Sequence, residues 1–477
     1  MTQTTAPSIP AGVSVDDIQS DTPELIPLLT TRPDLHIYTK SSPHFEDVRV
    51  TFNKEVTAIP RAIVRPNDEN ELVSTVTFCA KNEFPMSVRS GGHDPCGRGI
   101  IADGIVIDLR AFTEIKVVDG NENGSPYFIA GTGVTTGDLL RFLDEKNLVT
   151  PTGWCDEVSY TGWAAGGGYG SMTGYYGMGA DQILGARLLT PVGLIVDTDD
   201  DPELLWALRG AGLGNFGIIL ELRAKVYPRP QVLAGILAYP LSEAASVFEN
   251  FEKLCEDLPA AFSGEVLFSD LGAGTSVVFY YHWVYDDENR DQGAAFLGKM
   301  KALGNTLLLD TLAESTPYDF VKMMAPNYRF RSSLKNQAVA VANFSPKLID
   351  VLLEHPPSGT IGVVFHHGHG KAIVPNPGAA FPIRKRHLIL GITGRAASDT
   401  DPEAKKAAYN WAALVNREIR ERGLALEQGY WSFTPPEFCD AVGFFGEDSV
   451  RRMAKLKERY NPGNAFPQAF PTLSEVQ

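Results

Sequence analysis

Two glycine-rich stretches hold the residues best suited to chemistry. The first is Arg89-Ser90-Gly91-Gly92-His93-Asp94-Pro95-Cys96-Gly97, which follows a short apolar run ending at Val88. Paired glycines tolerate backbone angles closed to other residues and let the main chain approach a ligand closely. Successive bare N–H groups in such a turn form a concave anion site. His93 leaves that turn directly, beside whatever anion it holds. The second stretch is Pro151-Thr152-Gly153-Trp154-Cys155, continued by Gly162-Trp163-Ala164-Ala165-Gly166-Gly167-Gly168-Tyr169-Gly170.

The elements that must carry these stretches follow from the pattern on either side. Residues 62–65 read as a strand. Asn67-Asp68-Glu69-Asn70-Glu71 opens a helix whose early acids suit the helix dipole, and Leu72, Val76 and Cys79 continue it. Residues 86–89 and 105–109 are further strands, so a β-α-β unit ends in the Gly-Gly-His turn, where such units bind phosphates. A strand at 127–130, the turn Gly131-Thr132-Gly133 and a helix over 139–147 give a second phosphate-binding context. Gly212-Leu213-Gly214-Asn215-Phe216-Gly217 fits G-x-G-x-x-G, but a helix precedes it and a β-branched run follows, so it is no nicotinamide-dinucleotide fingerprint.

At Val226-Tyr227-Pro228-Arg229-Pro230 the character changes, and two prolines mark a boundary. Beyond it, strands at 232–239, 264–268, 276–286, 359–367 and 386–395 alternate with helices at 241–258, 289–302 and 402–422. Within 278–284, Tyr280 and His282 share one face while Phe279, Tyr281 and Trp283 share the other. That predicts an antiparallel sheet with helices on one face and a ligand on the other. A basic helix over 449–457 precedes Tyr460-Asn461-Pro462-Gly463-Asn464-Ala465-Phe466.

The two glycine-rich stretches and this terminal motif together resemble the FAD-linked oxidases of the vanillyl-alcohol oxidase / p-cresol methylhydroxylase superfamily, in its berberine-bridge-enzyme-like branch. The resemblance implies a mixed α/β and α+β fold. An FAD-binding domain of the p-cresol methylhydroxylase type occupies 1–228, with its core over about 55–228. A substrate domain with a helix-covered antiparallel sheet spans 229–448, and 449–477 returns to the first domain. The resemblance further implies FAD held covalently, through the 8α carbon on His93 and C6 on Cys155. Arg89, Ser90, Gly91, Gly92 and Asp94 then line the cofactor, as do Gly131, Gly133, Val158 and Gly162. Gly166, Gly167, Tyr169, Gly170, Ile218, Asn461 and Asn464 complete that set. Val158 matches a position that admits oxygen beside the ring. Leu204-Leu205-Trp206-Ala207-Leu208-Arg209-Gly210 and Phe381-Pro382-Ile383-Arg384 match further family stretches.

Such an oxidase needs a fixed flavin, a substrate C–H and a base. The family's Tyr-x-Asn-Tyr run is here Tyr430-Trp431-Ser432-Phe433, which keeps one tyrosine and loses the other. Tyr430 is therefore a catalytic candidate, needing a lowered pKa to act as a base. In His366-His367-Gly368-His369-Gly370, His367 and His369 share a strand face and are the other candidates for proton transfer or substrate contact; no partner set completes a metal site.

With 58 acidic against 42 basic residues, a net charge of −16 disfavours nucleic acid and anionic membrane as partners. No apolar run is long enough to span a bilayer. Five scattered cysteines without a C-x-x-C pair argue against a disulfide framework, and the polar start argues for a cytoplasmic protein. The expected partners are a small-molecule substrate and O₂. The reaction favoured is two-electron oxidation of a specialised-metabolite alcohol or amine, yielding H₂O₂. Oxidation of an oligosaccharide at its anomeric carbon, and flavin-scaffolded cyclisation without net redox, are the alternatives.

Overall fold

The first lobe grows from the β-α-β unit. β1 (His36–Tyr38), β2 (Ala62–Arg65), β3 (Met86–Arg89) and β4 (Ile105–Asp108) pair in the order β1-β2-β4-β3. β4 runs parallel to β2 and β3, and β1 antiparallel to β2. The structure is a computed structural model that describes residues 14–120, 124–270, 274–285, 289–328, 331–357, 362–396 and 398–473. The ends of the expected first and last segments, 1–13 and 474–477, lie outside them. The expected helix is Glu69–Lys81. The Asp68 carboxylate caps it, accepting from the Glu71 N–H at 2.8 Å, a contact that contributes about 1 kcal/mol. Its Leu72, Val76 and Cys79 join Ala62, Val64 and Ile105 in one core.

β5 (Ile115–Val118), β6 (Tyr127–Gly131), the short β7 (Leu148–Val149), β8 (Ile183–Leu189), β9 (Ile195–Asp197) and β10 (Ile218–Lys225) follow. All but β7 form an antiparallel sheet ordered β5-β6-β10-β8-β9. β7 pairs with β11 (Tyr227–Pro228). The helix after β6 is Thr136–Asp144, starting before the expected residue 139. The Thr135 hydroxyl accepts from the Asp138 N–H at 3.2 Å, and this cap lies outside the apolar periodicity that begins at Leu139. The G-x-G-x-x-G run joins the helix Pro202–Ala211 to β10, so it opens no helix.

Past Val226 the chain builds its largest sheet. Its strands are β12 (Gln231–Pro240), β13 (Phe262–Asp270), β14 (Thr275–Tyr285), β15 (Leu309–Asp310), β16 (Ala313–Ser315), β17 (Leu334–Val341), β18 (Val363–Gly368) and β19 (His387–Arg395). The order is β15-β12-β14-β13-β18-β19-β17, with β16 added on β12, and every pairing is antiparallel. The expected strand residues 286 and 359–361 lie outside the described residues. Helices Ala244–Cys255, Arg290–Lys301, Pro346–Glu354 and Pro402–Glu421 supply one covering layer. Phe279, Tyr281 and Trp283 of β14 meet Phe251 and Phe296 in that layer. Their neighbours turn the other way: His282 meets Trp154 of the first lobe at 6.0 Å between ring centroids.

The last helix, Glu447–Tyr460, returns to the first lobe. The Tyr460 hydroxyl donates to Asp201 at 2.6 Å, and the Met86 N–H donates to the Ala465 carbonyl at 2.9 Å. Phe466 enters the core that holds Ile105. Among the described residues, no helix is long and apolar enough to cross a membrane.

Candidate active site

Both glycine-rich stretches and the first-lobe-facing side of the large sheet wall one cavity of about 730 Å³, a size typical of cofactor and small-molecule sites. The turn after β3 is pressed against the segment after Cys155. A Cβ on Gly91 would lie 2.9 Å from both the Glu157 carbonyl oxygen and the Ser159 nitrogen, so only glycine permits this approach. The result brings His93 beside Cys155. His93 Nδ1 lies 3.9 Å from Cys155 Sγ, and Nε2 lies 3.1 Å from the Glu157 carboxylate. Phe52 stacks on the imidazole at 4.9 Å between centroids. Arg331 donates to the same Glu157 oxygen at 2.8 Å. The His93 hydrogen bond, helped by Arg331, outweighs partial burial and holds the Glu157 carboxyl at about 2. Burial, reinforced by Asp156 and Glu157, pushes the Cys155 thiol up to about 12. It is therefore a thiol at neutral pH, and His93 Nδ1 is placed to accept its proton.

Arg89 anchors the turn from below. Its Nη2 donates to Asp108 at 2.6 Å, and Arg65 and Arg110 reach the same oxygen at 2.7 and 2.8 Å. Burial alone would raise the Asp108 carboxyl; the surrounding guanidinium groups reverse this and hold it far below the usual range. Among the described residues Arg89 Nε and Nη1 have no hydrogen-bond partner though buried, and Arg89 lines the cavity. Two unmet donors and a bare turn, with an imidazole and a thiol beside them, fit an acceptor-rich cofactor such as FAD.

Ser90, Gly92, Val158, Gly162, Tyr169 and Ile218 also line the cavity. Asp94 does too, but its carboxylate is engaged by the Cys96 N–H at 2.7 Å and Arg98 at 3.0 Å. Other expected cofactor contacts lie elsewhere. Thr132 reaches the cavity, whereas Gly131 and Gly133 close on the Phe112 and Leu109 carbonyls. Gly166, Gly167 and Gly170 lie behind the wall; at Gly167, with φ +115°, a Cβ would meet the Phe381 ring at 2.5 Å. Asn461 donates to the Asn215 carbonyl at 3.2 Å and accepts from the Ala465 N–H at 2.9 Å. Asn464 turns the backbone at φ +47°. These asparagines shape the terminal loop, and Phe466, Ala469 and Phe470 from that loop reach the cavity.

The large sheet contributes a row of cross-strand neighbours. Ile236, Tyr280, Glu265 and His366 stand opposite one another on β12, β14, β13 and β18, and all four line the cavity. The Glu265 side chain is 2% exposed. His366 Nδ1 lies 2.7 Å from one of its oxygens, and the Tyr328 hydroxyl donates to the other at 2.8 Å. A carboxylate, an imidazole and a phenol thus stand hydrogen-bonded together on the cavity wall.

His367 and His369, expected as catalytic candidates, are not in it. Strand alternation turns His367 toward the helices, where it meets Phe251 at 5.4 Å between centroids. His369 Nε2 donates to the Phe262 carbonyl at 2.8 Å. Burial holds both imidazoles below their ordinary pKa, hence neutral. Tyr430 does line the cavity, edge-on to Tyr169 at 4.8 Å. Burial raises its phenol, so it can donate a hydrogen bond but is no base at neutral pH. The Tyr169 hydroxyl donates to His387 Nε2 at 2.5 Å, since His387 Nδ1 already donates to the Lys385 carbonyl at 2.6 Å. Glu157, Glu265, Tyr328 and His366 were not anticipated. A carboxylate two residues after Cys155, and another inside the apolar strand 262–268, were the available signals. Among the described residues, no group of three or more His, Cys, Asp or Glu could hold a metal.

A family model described as an FAD binding domain matches residues 60–199. The FAD-linked oxidoreductase aurO of Gibberella zeae is 32% identical over 91% of this chain and 85% of its own length. The (R)-6-hydroxynicotine oxidase of Paenarthrobacter nicotinovorans is 29% identical over 85% of this chain and 90% of its own. A solved berberine bridge enzyme variant superposes with a TM-score of 0.82 at 20% identity, covering 94% of this chain and 99% of that one. The cavity, its bare turn and its fold thus define an FAD-dependent oxidoreductase. The chain belongs to the berberine-bridge-enzyme-like FAD-linked oxidoreductases of the vanillyl-alcohol oxidase / p-cresol methylhydroxylase superfamily.

Proposed function

We propose that this chain is an oxidase whose FAD is bonded to both His93 and Cys155. It removes two electrons from a small specialised-metabolite alcohol or amine and passes them to O₂, giving H₂O₂. The observation that carries this reading is the Glu265–His366–Tyr328 group, which opens onto the same cavity as His93 and Cys155. FAD, when bound, supplies the hydride acceptor and the route of electrons to O₂. Arg89, the 90–92 turn and Thr132 would hold it.

The remaining roles belong to the chain. Glu265 accepts the substrate's O–H or N–H proton, with His366 sharing the charge that develops. Tyr328 fixes the second carboxylate oxygen and so the rotamer. Ile236, Leu267, Tyr280 and Val364 line the cavity beside them, excluding water and orienting an apolar substrate. Tyr430 is a hydrogen-bond donor to substrate, and the modest Val158 side chain leaves room for O₂. The apolar wall supports a small organic substrate over an oligosaccharide, as does the relative named for 6-hydroxynicotine.

Acid precipitation with peptide mass mapping tests the cofactor claim. Yellow colour should stay in the pellet, with flavin mass on the peptides carrying His93 and Cys155. Anaerobic mixing with candidate alcohols and amines tests the reaction. Bleaching of the flavin, followed by peroxide release when air is admitted, is expected; turnover without bleaching would instead establish the non-redox cyclase.

A further inference from the structure

We infer that Glu157 is the positioning residue that selects which nitrogen of His93 bonds to the flavin. This rests on the reading of His93 as a covalent anchor. A neutral imidazole carries its proton on one nitrogen, and only the other has a lone pair free to form a bond. Which nitrogen is free is set by the hydrogen bond the other makes. Glu157 lies 3.1 Å from Nε2, and an ionised carboxylate only accepts. Nε2 therefore holds the proton and Nδ1 keeps its lone pair.

Three further contacts make the choice firm. Phe52 stacks on the ring, and the His93 side chain is only 8% exposed, so the imidazole has little freedom to flip. Arg331, from the segment preceding β17, fixes the carboxylate at 2.8 Å. Nδ1 faces Cys155 Sγ at 3.9 Å, so the two bond-forming atoms present themselves to one edge of one ligand. An ordinary ion pair between Glu157 and Arg331 would stabilise the fold little at this exposure and would have no reason to include the imidazole. The carboxylate's negative charge disfavours the Cys155 thiolate, so its help is confined to the histidine link.

Nδ1 bonds to the 8α carbon and the methyl group loses a proton. Alkylation at Nδ1 leaves an imidazolium whose Nε2–H, hydrogen-bonded to Glu157, is the second proton lost, so the linked ring ends neutral and the two protons go with the two electrons into H₂O₂. Two electrons remain on the isoalloxazine until O₂ removes them as H₂O₂.

The test uses the full chain prepared without flavin, then incubated with FAD in air. Covalent incorporation is followed by acid precipitation and peptide mass mapping, and FAD binding by fluorescence quenching. In Glu157→Gln the amide can donate to Nε2, and in Glu157→Ala nothing holds it. Both should bind FAD as the native chain does but form the His93 link roughly tenfold or more slowly, the usual cost of removing a group that orients an imidazole. The Cys155 link should form at the native rate or faster. Arg331→Leu, which leaves Glu157 on His93 but frees its carboxylate, should slow the His93 link clearly less than either Glu157 variant. Native-rate linkage at His93 in whichever Glu157 variant folds overturns the proposal. So does an equal loss in Arg331→Leu, which would point to loop fixing. Native protein that binds FAD but carries no flavin on His93 would instead remove the covalent reading beneath it.

Discussion

Glu265 is a carboxylate with almost no solvent, held by His366 and Tyr328. A buried charge of this kind is costly unless it is paired, and each partner here also faces the cavity. Glu265→Gln keeps the size and removes the proton acceptor. Its kcat should fall by about 10²- to 10⁴-fold, with the amount of bound flavin unchanged. His366→Leu should fall comparably, and the double variant should be little worse than either, because the pair acts as a unit. His367→Leu is the control. That side chain packs on Phe251 and Phe344, and its kcat should match the native value. A Glu265→Gln enzyme with native kcat would remove Glu265 as the base. Loss of activity in His367→Leu at unchanged melting temperature would return that histidine to the site.

The glycine turn and the Cys155 segment work as a pair of packed loops, and Gly91 is a point of close approach between them. A methyl group there meets backbone atoms on the opposing loop at 2.9 Å, and backbone cannot rotate away as a side chain can. Gly91→Ala should therefore separate His93 from Cys155 while leaving the two large sheets intact. The expected result is a folded chain by circular dichroism that carries flavin on at most one of the two peptides; both links at native yield would contradict the packing argument. Much of this arrangement was legible in the sequence, because its signals are local. The Asp68 cap, the Gly-Gly-His turn and the alternation of β14 each depend on residues a few positions apart. The face of β18 was not legible. Val364 and His366 on one side, and Val363, Phe365 and His367 on the other, are equally apolar company, since this sheet is covered on both faces. Period-2 alternation separates the two sets but does not say which meets the cavity. The deciding contact, Glu265 opposite His366, joins strands far apart in sequence. The terminal Asn461 and Asn464 stand off the cavity for a different reason: a motif marks a loop's shape, and here the shape delivers Phe466 to the wall.

Across the whole molecule, the buried histidines set how it responds to acid. His282 has both ring nitrogens buried without partners, between Trp154 and Phe320. Burial depresses its pKa from 6.5 to about 3 and that of His387 to about 4; His367 and His369 are also lowered. A histidine depressed in the folded state binds its proton more readily when unfolded. Its stabilising contribution is therefore complete above the unfolded value of 6.5 and is lost as pH falls toward the folded value. Each such group contributes a slope approaching about 1.4 kcal/mol per pH unit inside that window. The isoelectric point near 5.1 falls in the same window, so solubility changes there too, and the native chain's acid profile alone cannot assign the cause. His282→Leu isolates it. Leucine removes the titrating group and two unpaired buried nitrogens while keeping an apolar filler, a change that is near neutral or stabilising at pH 7.5. Denaturant unfolding at pH 7.5 and pH 5 should show native stability falling further than that of His282→Leu, the difference growing to about 2 kcal/mol by pH 5. Parallel losses in the two proteins would mean that His282 is not neutral in the folded chain, and that acid sensitivity comes from the carboxylates instead.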